Sequence, residues 1–199
     1  MTSDYKQLLK DFKRGKEGED AVQKFLLEEF GISTKNVGQE QLGHDLEVIS
    51  LDGSKIGLEE GVTYSEDKMI DKFMKSFGRT FEIKRDFTSD RTGNIYWECW
   101  SNKRLNNPGC QLSCKADTII FVRSSEFIFL NRAKFLSWFF ENAFLDTELL
   151  KGWQKKTFRG GNKKMMSASN NPDVAGILIP VSDLKKSIAC FYVKDRKIR

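Results

Sequence analysis

Glu82 and Lys84 stand one residue apart in Phe81-Glu82-Ile83-Lys84, where apolar and charged side chains alternate. Period-two alternation is the pattern of a half-buried strand, so Glu82 and Lys84 share one face and Phe81 and Ile83 the other. A carboxylate beside an ammonium can serve a cation and a phosphate together, or can simply be an ion pair on a surface strand. Upstream, Gly43-His44-Asp45-Leu46-Glu47-Val48-Ile49 reads as a second strand that Asp45 opens. Earlier still, Gly15-Lys16-Glu17-Gly18-Glu19-Asp20-Ala21 lies within a helical pattern. Carboxylates are oxygen ligands of the kind that Mg²⁺ takes, and a bound ion can lower the pKa of a coordinated water and draw charge from a phosphate.

This order of an Asp, a Glu-x-Lys and a helix-borne Glu resembles the active-site signature of the PD-(D/E)XK nuclease superfamily. Many members carry Gly-x-x-Gly-Glu on their first helix, and Gly15, Gly18 and Glu19 match it residue by residue. The run Asn107-Pro108-Gly109, a short helix carrying Lys115, Ala116-Asp117 and an apolar strand resembles a segment of phage-type members. The resemblance covers roughly residues 15 to 123. It implies an α/β fold with a restriction-endonuclease-like core, a central mixed β-sheet flanked by helices. It also implies a Mg²⁺- (or Mn²⁺-) dependent endo- or exodeoxyribonuclease, structure-selective or resolvase-like.

By this resemblance Asp45 and Glu82 bind the ion directly, the Ile83 carbonyl adds a ligand, and Glu19 serves a second ion or a metal-bound water. Lys84 positions the water and stabilises developing charge, and Lys115 sits near the scissile phosphate with Gln111 on the same face one turn earlier. Glu98 is an auxiliary carboxylate or a partner for Lys84 or Lys115. The residues alone leave other readings open: Glu19 as an acidic residue favoured by the helix dipole, Lys115 facing solvent, Asp117 capping a loop, Glu98 in a structural salt bridge. A fold that keeps its shape without catalysis would be a nucleic-acid-binding or protein-interaction module.

The remaining pattern supplies the scaffold. Tyr5 to Phe30 reads as a long helix or helix pair, with Leu8, Leu9, Phe12, Val22, Phe25, Leu26 and Leu27 recurring at threes and fours and Gly31 as its stop. Asp45 to Leu51 is the first expected strand, and Asp52-Gly53 would turn it into residues 55 to 58. An insertion follows at about 59–78, ending in an apolar-faced helix stopped by Gly78. Residues 85 to 94 read as a polar turn, Ile95 to Trp100 as a central strand, and Thr118 to Arg123 and Phe127 to Leu130 as strands. Arg132 to Phe144 reads as a helix whose aromatic residues fit a core better than a base-stacking surface. Ile177 to Val181 reads as a strand, with a helix starting at Ser182.

The 199 residues suit a single domain, 1–199. The net charge of +5 is unevenly spread: residues 151–199 hold twelve Lys or Arg and three Asp, a local +9 that leaves −4 for residues 1–150. A basic C-terminal region beside an acidic front suits an anionic polymer, DNA more than RNA, and the loop with Lys155, Lys156, Arg159, Lys163 and Lys164 could approach its phosphates. The N-terminus has no apolar secretory core and no run spans a bilayer, so the expectation is a cytoplasmic protein, in the host cell if viral, without a membrane partner. Many structure-selective nucleases of this kind pair up, which points to a homodimer. Four cysteines and one histidine give no zinc-finger spacing, and no phosphate-cradling Gly-x-x-x-x-Gly-Lys-Ser/Thr run is present.

Overall fold

The computed structural model describes residues 3–38, 43–51, 75–102, 104–140, 166–168, 171–186 and 190–194. The basic loop at 155–164 and the bulk of the insertion, 59–74, lie outside them, as do the expected turn at Asp52-Gly53 and the strand at 55–58.

A single helix, α1 (Ser3–Phe30), opens the chain. Gly18 is accepted inside it because a Cβ there would lie 3.3 Å from the Arg85 Cβ and 3.6 Å from the Ile83 Cγ2, a close approach of helix to sheet. Gly15 meets nothing within 4 Å, so close packing explains only the second glycine of the motif. The helix ends as expected at Gly31, whose φ of 64° closes a hydrogen bond from its N–H to the Leu27 carbonyl.

Six strands form a mixed sheet in the order β1 (Ile32–Asn36), β2 (Leu46–Leu51), β3 (Thr80–Arg85), β6 (Thr118–Val122), β7 (Glu126–Asn131), β10 (Cys190–Lys194). All pairings are antiparallel except β3 with β6, which run parallel. The protein is thus of the α/β class, with a central mixed sheet flanked by helices. All five residues of β6 are buried, because alternate side chains meet cores on both faces. Ile120 and Val122 face α1 together with Phe81, Ile83, Phe127 and Phe129, closing over Val22 and Leu26. Ile119 and Phe121 face the other way, toward Ile95, Trp97, Phe135 and Phe139.

That second core rests on a separate four-stranded antiparallel sheet, β5 (Asn107–Pro108), β4 (Asn94–Asn102), β9 (Asn171–Pro180), β8 (Met166–Ala168). The strand read as central, Ile95 to Trp100, is an inner strand of this second sheet and not of the main one. Helix α4 (Arg132–Phe139) fills the same layer, where Phe135 packs on Trp97 at a ring-centroid distance of 4.4 Å, so its aromatic residues Phe135 and Phe139 are core as expected.

Several elements depart from the sequence pattern. The polar run after Lys84 contains a helix, α2 (Phe87–Thr92), since the Asp86 side chain accepts from the Thr88 and Ser89 amides and Gly93, at φ 70°, ends it. Strands β1, β5, β8 and β10 were not expected. Within α1 the apolar recurrence does not make one buried face, for Phe12 is 69% exposed and Leu27 is also exposed. Two further helices among the described residues are short, α3 (Cys110–Ser113) and α5 (Val181–Leu184). Among the described residues no helix is long and apolar enough to cross a membrane.

Candidate active site

Strands β2 and β3 pair over only two residue pairs, Leu46 with Phe81 and Glu47 with Thr80, and then part. Asp45 stands at this fork. Its amide donates to the Phe81 carbonyl at 2.9 Å, its carbonyl accepts from Val37 at 2.8 Å, and its Oδ2 accepts from the Ile83 amide at 2.6 Å. The side chain therefore replaces the missing β2 partner of Ile83. In an extended strand a residue's N–H and C=O point to the same side, so the Ile83 carbonyl faces the same opening as Asp45.

Glu82 and Lys84 extend from β3 as alternation requires and form a hydrogen-bonded ion pair. Glu82 is only 8% exposed; burial pushes its carboxyl above the usual range, Lys84 opposes this, and the Asp45 charge adds to it. Burial also works against the charge of Lys84, but the neighbouring Cys110 sulfur, Glu82 and Asp45 together raise its pKa above the ordinary lysine value. Cys110 is itself pushed up to about 11 by burial and is a neutral thiol at physiological pH. Lys84 is protonated there, paired with Glu82.

Glu19 approaches from α1, and the Asn36 side-chain amide of β1 donates to its carboxylate. Burial raises the Glu19 pKa, Asn36 lowers it, and Asp45 raises it further, so these two acids feel one another. Asp45 is a wall common to two cavities. One, of about 730 Å³, runs along α1 past Phe12, Lys16, Glu19, Asp20 and Gln23; the other, of about 270 Å³, holds Glu82, His44, Cys110 and Cys114. The sequence thus singled out four residues that the fold does bring to one corner: Glu19, Asp45, Glu82 and Lys84. Among the described residues no group of three or more His, Cys, Asp or Glu side chains gathers closely enough to hold a metal ion by itself. The donor set nonetheless suits a hard cation, which takes one or two carboxylates and completes its shell with water. Glu19, Asp20, Asp45 and Glu82 outnumber Lys16 and Lys84, and the repulsion among these acids is what a divalent ion would relieve.

The outer residues divide. Lys115 is exposed at the rim, its amide donating to the Gly43 carbonyl at 2.7 Å, where its stem lies against Gly43. Gln111 is not on that face: it is 4% exposed, its Nε2 donates to the Tyr96 carbonyl and its Oε1 accepts from the Glu98 amide, fastening α3 to β4. The Glu98 carboxylate accepts from the Cys110 amide at 3.1 Å and so caps α3, rather than meeting Lys84 or Lys115. Asp117 receives three hydrogen bonds through Oδ2, from the Arg79 and Thr80 amides and the Thr80 hydroxyl. Lys155, Lys156, Arg159, Lys163 and Lys164 lie outside the described residues.

Sequence reasoning missed Phe12, Lys16, Gln23, Asn36 and Cys110 as parts of this site. The spacing 12, 16, 19, 23 already marks one helix face through Glu19, but Asn36 comes in only through a strand the pattern did not reveal. No family model, curated protein or solved structure matches the chain.

Proposed function

We propose that the chain is a metal-dependent nuclease that hydrolyses phosphodiester bonds in DNA with Mg²⁺ or Mn²⁺. The observation that carries this reading is the fork at Asp45, where a main-chain hydrogen bond fixes one carboxylate beside the buried Glu82 and Lys84 pair while Glu19 closes in from the helix. Asp45, Glu82 and the Ile83 carbonyl would hold the ion, with Glu19 next to it. When bound, a divalent ion withdraws charge from phosphate and acidifies a coordinated water. The protonated Lys84 supplies the fixed positive charge for the phosphate oxygen that gains negative character, and it orients the attacking water by donating to it. Lys115, at the rim, has the exposure needed to meet the strand's backbone.

The test is cleavage of linear, nicked, flapped and four-way DNA, and of RNA, by purified protein in Mg²⁺ or Mn²⁺, set against Asp45→Ala, Glu82→Ala and Lys84→Ala. Each variant should lose about 10²-fold or more in rate while retaining the nucleic acid, the size of effect expected for deleting one charge-stabilising group. Three variants that still cut would overturn the assignment. Binding without cutting by the unaltered protein would assign it to the non-catalytic reading of the fold. Replacing Lys155, Lys156, Lys163 and Lys164 should weaken binding and reduce its salt dependence.

A further inference from the structure

The larger cavity is more than the back wall of the carboxylates. Phe12, Lys16, Glu19 and Gln23 fall at intervals of four, three and four along α1, a single stripe that faces Asn36, Gly38 and Asp45 across the cleft. The buried stripe of the same helix, Gly18, Val22 and Leu26, is adjacent to it and faces β3. Phe12 therefore contributes to the cleft and not to the core, and with 69% of its surface exposed its ring can receive a flat partner. A lone exposed aromatic on a helix has no meaning by itself; this one shares a cleft with Glu19 and Asp45.

The helix rises 1.5 Å per residue, which puts Phe12 about 10 Å from Glu19 along the axis, with Lys16 roughly midway. Bases stacked in one strand are about 3.4 Å apart, so that distance spans about three nucleotides. A cavity of about 730 Å³ is in the range that holds a small ligand and is far too small for a duplex. Within a duplex the base faces are already stacked on one another, so an unpaired base offers its face to a phenyl ring at the least cost.

Building on the nuclease reading, we infer that this cleft takes an unpaired stretch of the DNA substrate, with Phe12 stacking on a base about three nucleotides from the cut and Lys16 pairing with an intervening phosphate. A phenyl ring has no hydrogen-bonding group, so it reads single-strandedness and not sequence. Gln23, farther along the stripe, is held by its Nε2 donating to the Thr34 carbonyl at 3.0 Å and serves as a wall.

The experiment pairs cleavage with binding. Wild-type protein, Phe12→Ala, Phe12→Trp and Lys16→Gln are given Mg²⁺ and either a blunt duplex or the same duplex with an unpaired flap. Binding of a single-stranded oligonucleotide carrying 2-aminopurine is followed in the Glu82→Ala background, where stacking quenches the probe. Phe12→Ala should lose about tenfold in binding and in flap cleavage and abolish the quenching, Phe12→Trp should restore both, and Lys16→Gln should flatten the salt dependence by about one counterion. The exposed ring makes Phe12→Ala harmless to folding, which circular dichroism checks. If flaps and blunt ends are cut alike and Phe12→Ala changes neither, the stacking cleft is wrong and the nuclease reading stands. If nothing is cut but Phe12-dependent quenching persists, the nuclease reading fails and the cleft survives as a single-strand binding site. Absence of both cutting and quenching would end both.

Discussion

Two places in this molecule bury carboxylates, and they are built on opposite principles. Glu126, at the start of β7 and 4% exposed, receives a cation at each oxygen: Arg123 at Oε1 and Lys185 at Oε2. Arg123 also donates to the Ser89 carbonyl at 2.9 Å and lies 3.7 Å from Asp90, whose carboxylate accepts from Ser124. Two acids thus meet two cations, and the cluster ties α2, the β6–β7 turn and the end of α5 into one unit. At the fork of β2 and β3, the acids Glu19, Asp20, Asp45 and Glu82 outnumber the lysines Lys16 and Lys84, and the Glu19 and Glu82 carboxyls are raised by burial and by Asp45. The balanced cluster fastens elements together; the unbalanced one stores repulsion that an incoming cation would remove.

The largest effect that tests this contrast is on stability. Glu126→Ala strands two partly buried cations and should cost about 3 kcal/mol in urea unfolding, as the loss of one partner from a buried pair does. Glu19→Gln removes one charge from a crowded set and should change stability by no more than about 0.5 kcal/mol, or raise it. Equal losses at the two positions would mean that the clusters do not differ in kind.

Mg²⁺ should raise the melting temperature of wild-type protein, by an amount worth about 2.7 kcal/mol at a hundredfold excess over its dissociation constant, and should do nothing for Asp45→Asn. Glu126→Ala, for all its lower starting stability, should keep the full Mg²⁺ increment. A shift that survives Asp45→Asn would move the ion elsewhere.

The smallest effect is read by two cysteines that sit one in each cluster. Burial pushes Cys110 and Cys190 each up to about 11, Lys84 pulling the first down and Lys185 the second. Both stay thiols at pH 7.5, and their alkylation should quicken as pH rises toward 11, because the thiolate is the reactive form. Lys84→Met removes the cation that favours the Cys110 thiolate and should slow labelling at Cys110 alone; Lys185→Met should slow Cys190 alone. Mass spectrometry of iodoacetamide-treated protein separates the two sites, and crossed or absent effects would break the pairing of thiol and lysine.

The corner itself was legible because its signals are local. Alternation in β3 placed Glu82 and Lys84 together and sent Phe81 and Ile83 into the core, and Gly31 and Gly78 marked chain reversals at φ 64° and 71°. The scaffold was less legible wherever long-range pairing does the work. Ile32–Asn36 has one buried apolar residue and becomes a strand through its ladder to β2, and the division into two sheets depends on which strands pair, which alternation within a strand does not encode. The roles of Glu98 and Gln111 were hidden for the same reason. Both serve a four-residue helix, too short to have a face, whose position is set by hydrogen bonds to the neighbouring strand.

The Asp117 carboxylate, with its three hydrogen bonds to Arg79 and Thr80, grips the chain where it enters β3. Gly78 makes room for that grip, since a Cβ there would come within 2.3 Å of the Asp117 Cβ. The start of β3 is consequently fixed twice, by its ladder to β2 and by this latch from the approach to β6. Glu82 and Lys84, two and four residues past Thr80, take their place from that anchored end of the strand.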